Sequence, residues 1–357
     1  MSSFRRGFHN ANPLVVLAGA LLLVPVLLGL QWFVTSGSYT NHVDESKLNR
    51  RTSDDWVHIS WQVGHLKQTP PTTPAVYLLG GSTTRELLVS NESMERALKE
   101  TTGEDVLVND LASMNQSFGQ SMAIADNLKP EEAILLVGIN QARFSAAPGD
   151  NEQQIVGRPL MIKSDNLHDY VAETYGRYKY SYTILPGIMD YIVSYFEENS
   201  DELRTHQVPD HPFNPHRYSL KSQYGSKKKE SLVTKWLETK GPKFAKNYDY
   251  NAAMLEELVR DAKARGFTVV LFNLPLNEEA VAGRFDEVTG RYRTLGADLA
   301  AKYDVTYLDI MPQAGLVTGD FQDLTHLVEP GRARLEPILA GALAPVIAET
   351  TSGNGAP

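Results

Sequence analysis

Ala75-Val76-Tyr77-Leu78-Leu79-Gly80-Gly81-Ser82-Thr83-Thr84-Arg85-Glu86-Leu87-Leu88 runs from an apolar segment through two glycines and a serine into apolar residues at helical spacing. Leu87, Leu88, Met94 and Leu98 carry that spacing until Thr101-Thr102-Gly103 stops it. The pattern predicts strand, tight turn and helix. Ligands gather at the carboxyl ends of strands in open α/β sheets, so the turn sets Ser82 at a rim with its N–H in the first turn of a helix. A serine there can attack a carbonyl, and the same turn can hold the oxyanion that results. Ser82 can equally be a plain helix N-cap, a role that Thr83 or Thr84 would also fill.

Near the other end of the chain, Asp320-Phe321-Gln322-Asp323-Leu324-Thr325-His326-Leu327-Val328-Glu329-Pro330-Gly331 precedes a helically spaced apolar segment from Leu335 to Ile347. An Asp three residues before a His, on a loop entering a helix, can aim both side chains at one point. A nucleophilic serine needs a base, and the imidazole needs a group to orient it, which makes Asp323 and His326 candidates for those roles. The plainer alternative is a turn-capping Asp323 and a surface His326.

Between these ends the apolar runs alternate with helical patterns. Residues 105–109 predict a second strand, followed by a polar loop (110–119) and a helix to about Leu128; residues 132–140 predict a third, nearly all-apolar strand. A helix over 249–265 stopped by Gly266, a strand over 267–273, the loop Leu274-Pro275-Leu276, a helix over 287–303 and a strand over 305–309 follow. Strands this apolar, alternating with helices, predict a three-layer α/β/α fold on a five-stranded parallel sheet with right-handed crossovers. Its rim gathers Ser82, the 110–117 loop and Asn140.

The 357 residues, 42% hydrophobic and 22% charged, suffice for one large or two ordinary globular domains. A net charge of −9 argues against a nucleic-acid surface. With no cysteine, disulfides, thiolate catalysis, iron–sulfur clusters and Cys-ligated zinc are excluded, as is lipidation through cysteine. Pro13 to Val34 carries no charge and, at helical rise, is long enough for a bilayer core of about 30 Å. Arg5 and Arg6 precede it and Thr35-Ser36-Gly37-Ser38-Tyr39-Thr40 follows, so the positive-inside rule places residues 1–12 in the cytoplasm and the rest outside. The segment exceeds a usual signal-peptide core and lacks a clear A-x-A site, which favours a retained single-pass anchor over a cleaved signal. The chain then divides into 1–12, a transmembrane anchor (13–35), a stalk or docking segment (36–74) with Trp56 and Trp61, a catalytic-type domain (75–347) and a disordered tail (348–357).

The set of Gly-Gly-Ser82, an Asn/Ser loop after strand two, Gly138-x-Asn140 after strand three, and Asp323-x-x-His326 near the end resembles the SGNH (GDSL-like) hydrolase superfamily, across residues 75–347. The resemblance implies Ser82 as nucleophile, Asp323 and His326 as the rest of a triad, and an oxyanion hole from the Ser82 backbone amide, the Asn140 side chain and a second-loop amide. Preorganised donors of that kind are worth about 3–4 kcal/mol each. The family's second-block glycine is replaced within Ala112-Ser113-Met114-Asn115-Gln116-Ser117, the resemblance setting Asn115, which tolerates positive φ, in its place. Gln141 stands where the family often has Asp and is not expected to be chemical. The α/β-hydrolase elbow Gly-x-Ser-x-Gly is absent because Thr84 occupies its last position.

Residues 141–245 form an insertion longer than a doubly wound unit needs. Its tyrosines (Tyr170, Tyr175, Tyr178, Tyr180, Tyr182, Tyr191, Tyr195) suit either a packing face or a carbohydrate-binding lid. His206, His211 and His216 lie among prolines without metal-ligand spacing, so no metal and no cofactor is expected. Lys227-Lys228-Lys229 is expected in a solvated loop.

Architecture makes the chain look like the membrane-attached branch of the superfamily, which includes proteins of polysaccharide O-acetylation and teichoic-acid D-alanylation. The resemblance implies an extracytoplasmic esterase or O-acyltransferase acting on an acyl ester of a cell-surface glycan, with an integral-membrane acyltransferase as partner. The alternative is a non-catalytic, membrane-tethered binding or assembly component on the same fold. A solute-binding protein would need two similar lobes, and one doubly wound pattern is present.

Overall fold

The computed structural model describes residues 12–43, 45, 55–152, 155–157, 160–176 and 223–353. Five parallel strands, β1 (Ala75–Leu79), β2 (Leu107–Asp110), β3 (Ala133–Ile139), β6 (Thr268–Asn273) and β7 (Thr306–Leu308), form one sheet in the order β2-β1-β3-β6-β7. β4 (Ile155–Gly157) and β5 (Leu160–Ile162) make a separate antiparallel hairpin inside the insertion. Register is continuous across the centre, with Leu79 opposite Val137 and Val137 opposite Leu271.

Because β1 and β3 are buried along their whole lengths, alternate side chains feed two cores, one on each face. Ala75, Tyr77 and Leu79 join one, with Phe118, Leu258 and Leu299. Val76 and Leu78 join the other, with Met94, Leu335 and Leu343. The first core is covered by α2 (Asp55–Gln68), α5 (Phe118–Ala125), α9 (Gly241–Ala264) and α11 (Asp286–Tyr303), the second by α4 (Asn91–Thr102) and α13 (Glu329–Gly353). The fold is therefore the three-layer α/β/α arrangement predicted from the apolar runs, each strand within two residues of its expected ends.

Four local expectations need correction. α13 continues to Gly353, through residues 348–353 expected in a disordered tail. The helix after Ser82 is not continuous. A four-residue turn, α3 (Ser82–Arg85), is followed by a break over residues 86–90, and α4 starts afresh where the Ser90 hydroxyl accepts the Ser93 N–H at 3.0 Å. Leu87 and Leu88 keep the apolar spacing because both are buried within the break. The helix expected over 249–265 begins at Gly241, with Pro242 in its first turn. The lysine run opens α8 (Ser226–Thr239) rather than a loop, and Lys229 is buried. In the insertion, α6 (Pro148–Asn151) and α7 (Asp165–Tyr175) precede α8, and Tyr175 packs its ring 4.9 Å from that of Tyr250. Tyr178, Tyr180, Tyr182, Tyr191, Tyr195, His206, His211 and His216 lie outside the described residues.

α1 (Pro13–Thr35) is a 23-residue apolar helix, long enough to cross a membrane, with its side chains largely exposed. Its end is fastened to α2. A Cβ on Gly37, whose φ is 85°, would stand 2.4 Å from the Gly64 carbonyl oxygen, so this close approach requires glycine. Gln68 Nε2 donates to the Ser36 carbonyl at 2.8 Å and Lys67 Nζ to that of Thr35 at 3.2 Å. Trp61 Nε1 donates to the Val43 carbonyl at 2.9 Å, and Trp56 packs against the main core. α10 (Glu278–Val281) and α12 (Met311–Ala314) complete the helices at the carboxyl-terminal rim among the described residues.

Candidate active site

Ser82 follows β1 directly. Gly80 and, on the neighbouring strand, Gly138 make room for one side chain: a Cβ on Gly80 would meet Thr84 Oγ1 at 2.0 Å, and one on Gly138 would meet it at 2.3 Å. Gly81 has open space at its Cβ position, so sterics do not demand glycine there. The turn is closed by the Thr84 and Arg85 amides donating to the Gly81 carbonyl at 2.9 and 3.1 Å. Its N-cap is Gly81, with no side-chain cap. The Ser82 hydroxyl is not spent on capping; Ser82 Oγ lies 2.9 Å from His326 Nε2.

His326 is presented by a narrow antiparallel ribbon in which Phe321 bridges Leu327 and the Gln322 N–H donates to the His326 carbonyl at 2.9 Å. Asp323 sits at its tip. One carboxylate oxygen accepts the Thr325 and His326 amides, each at 2.9 Å, and the other meets His326 Nδ1 at 2.8 Å. Burial pushes the Asp323 carboxyl up, but its hydrogen bond to His326, the imidazole's charge and the two amides outweigh this and hold it at about 2. An ionised Asp323 keeps the proton on Nδ1, leaving the Nε2 lone pair for the Ser82 hydroxyl. The His326 and Asp323 side chains are 22% and 20% exposed, so the pair opens to solvent.

The other two rim loops close on this point. After β2, the Leu111 amide donates to the Leu78 carbonyl and the Ser113 amide to the Gly80 carbonyl, both at 3.0 Å, laying the loop along the end of β1. Asn115 is exposed at its tip with φ 59°, the left-handed conformation that the replaced glycine would supply. After β3, the buried Asn140 accepts the Ala142 amide at 3.1 Å through Oδ1 and donates through Nδ2 to Thr83 Oγ1 at 3.3 Å, next in sequence to Ser82. That bond uses one of two Nδ2 hydrogens. Among the described residues the Ser82 and Asn115 N–H groups have no hydrogen-bond acceptor, which leaves both able to bind an anion. Gln141, next to Asn140 in sequence, is buried.

No family model and no curated protein matches this sequence. The chain is similar to a solved structure, the crystal structure of the lipase/acylhydrolase from Enterococcus faecalis. Identity is 10% and the TM-score 0.36, over 76% of this chain and 96% of that one. A likeness this remote assigns no function.

Several residues that shape the site carry no motif. Arg143, buried behind Asn140, donates to the Gly138 carbonyl at 2.7 Å, the Ser117 carbonyl at 3.0 Å and Ser121 Oγ at 2.6 Å, tying the second loop to the third. Burial pulls its guanidinium down to about 9. Lys229 Nζ donates to the Thr318 and Phe321 carbonyls at 2.9 and 3.2 Å, and Asn277 donates to the carbonyls of Asp323 (3.3 Å) and Leu324 (2.9 Å). Together they brace the ribbon that carries His326. Arg143 stands four residues beyond the end of β3, and no pattern in the sequence around it marks this role. Among the described residues, no group of His, Asp and Glu is arranged to hold a metal.

Proposed function

We propose that this chain is a membrane-anchored, extracytoplasmic serine esterase or O-acyltransferase of the SGNH type, working through an acyl-Ser82 intermediate. The observation that carries the reading is the continuous relay Ser82 Oγ–His326 Nε2 at 2.9 Å and His326 Nδ1–Asp323 Oδ2 at 2.8 Å. Ser82 Oγ attacks the acyl carbonyl carbon while its proton passes to His326 Nε2. Charge on the carbonyl oxygen is met by the Ser82 and Asn115 amides and the second Nδ2 hydrogen of Asn140. As the tetrahedral centre collapses, the ester C–O bond breaks and the leaving alcohol takes the proton back from His326. Water or a sugar hydroxyl then gives its proton to His326 and attacks the acyl carbon, releasing Ser82. Asp323 orients the imidazole and stabilises its cation throughout.

The resemblance to glycan-modifying proteins supports a cell-surface glycan as acyl source or acceptor, and an integral-membrane acyltransferase as partner. The apolar α1, largely exposed, supports anchoring. The φ of 59° at Asn115, the conformation a glycine would take there, supports the catalytic reading over a non-catalytic binding or assembly component on the same fold.

The test is an aryl acetate assay of full-length protein in detergent with Ser82→Ala as control. Acetate release that disappears in the variant, with covalent capture of Ser82 by a fluorophosphonate, is the expected result; equal rates in both proteins exclude the serine. Adding a soluble oligosaccharide and weighing the products separates hydrolysis from transfer.

A further inference from the structure

Asp55, the first residue of α2, lies outside the strand-and-loop blocks that carry Ser82, Asn115, Asn140 and His326. Its Oδ2 nevertheless reaches two of them. It takes the guanidinium of Arg85, the last residue of the Ser82 turn, and it accepts the Met114 N–H at 2.8 Å, one residue before Asn115. The Asp55 and Arg85 side chains are 9% and 6% exposed, so water screens the pair weakly. Arg85 also donates to Glu86 at 3.0 Å. Neutralising the arginine therefore does not by itself call for Asp55. What Asp55 adds is a single oxygen bonded to both the nucleophile turn and the oxyanion loop.

We propose that Asp55 is a positioning residue for the Ser82 site, so that α2 is a working part of the catalytic apparatus and not merely a connection to α1. This rests on the serine-hydrolase reading above. By binding the Met114 amide, Asp55 fixes the peptide that precedes Asn115 and keeps that amide from competing for the substrate's oxygen. By holding Arg85, it fixes the far end of the turn that begins with Ser82. Attack distance and oxyanion geometry are both set by the spacing of these two loops. A misplacement of about 1 Å at such a point costs about 100-fold in rate.

The test compares Asp55→Asn and Asp55→Ala with wild type, as full-length protein in detergent, by aryl acetate kinetics, the fluorophosphonate labelling rate and thermal melting. Asparagine keeps an acceptor for Met114 and loses the charge that holds Arg85, whereas alanine loses both. The expected result is a kcat reduced about 10-fold in Asp55→Asn and about 100-fold in Asp55→Ala, with KM within about twofold and labelling slowed in proportion. A residue serving only as glue would lower the melting temperature and leave kcat of the folded protein unchanged, and that outcome overturns the inference. If Asp55→Ala does not fold, the near-isosteric Asp55→Asn decides, supported by Asp55→Asn with Arg85→Gln, which removes the guanidinium that Asp55 holds. Ser82→Ala separates the two levels. Loss of activity there with wild-type kcat in the Asp55 variants sinks the role of Asp55 alone, whereas a fully active Ser82→Ala sinks the serine reading beneath it.

Discussion

Ser82 Oγ and His326 Nε2 stand 2.9 Å apart, although 244 positions of chain separate them. Nothing local makes that contact; it exists because β1 is an interior strand of the sheet and the ribbon before α13 is folded back over its end. If the contact performs general-base chemistry, His326→Ala should lower kcat by at least about 1,000-fold. Asp323→Asn, which leaves the ring in place with the wrong nitrogen protonated, should lower it by about 10,000-fold with little change in KM. Steady-state kinetics with an aryl ester checks both.

Two aspartates at this rim should make stability depend on pH in opposite directions. Asp323 is held at about 2 in the folded protein, below the ordinary 3.8 of an unfolded chain. Its contribution is complete above about pH 4 and disappears as pH falls through about 2, so the melting-temperature advantage of wild type over Asp323→Asn should shrink across that window.

Asp110, at the end of β2, is driven up to about 8 by burial, against the pull of the Ala112 amide and the Arg85 charge. The unfolded chain loses this proton near 3.8 and the folded protein keeps it to about 8, so stability is spent as pH rises between those values. Asp110→Asn, which retains an acceptor for the Ala112 amide, should gain in melting temperature relative to wild type from about pH 4 to about pH 8. A flat difference across that range would refute the assignment.

Removing the Lys229 ammonium leaves the Phe321 carbonyl without its donor and the Thr318 carbonyl with the Phe321 amide at 3.3 Å. Lys229→Met should cost about 1–3 kcal/mol in denaturant unfolding and should also reduce kcat, because the ribbon that aims His326 loosens.

Gly138→Ala would set a methyl 2.3 Å from Thr84 Oγ1 and 2.9 Å from Leu274 Cδ1. A loss of about 1–3 kcal/mol is expected, partly restored when Thr84→Ala is made in the same chain; a double-mutant cycle measures the coupling.

The sheet was legible in sequence because β1, β3 and β6 are buried on both faces and therefore read as uninterrupted apolar runs. The serine turn and Asp-x-x-His loop were legible because each is a short local pattern. The break at residues 86–90 was hidden, since Leu87 and Leu88 hold helical spacing for tertiary reasons alone. Asp55, Arg143, Lys229 and Asn277 left no trace for a different reason. Each bonds mainly to backbone groups or charges far along the chain, and such bonds impose no periodicity on their neighbours.

α2 has one end at Asp55, against the serine turn, and the other at Lys67 and Gln68, on the last residues of the apolar helix. Fourteen helical residues make a rod of about 20 Å. On the proposed reading, with α1 inserted in a bilayer, the rod would act as a ruler that keeps the nearby Ser82 hydroxyl at a set height above the lipid instead of letting it sweep a volume on a flexible leash. Esters within that layer would then be in reach, and those farther out would not.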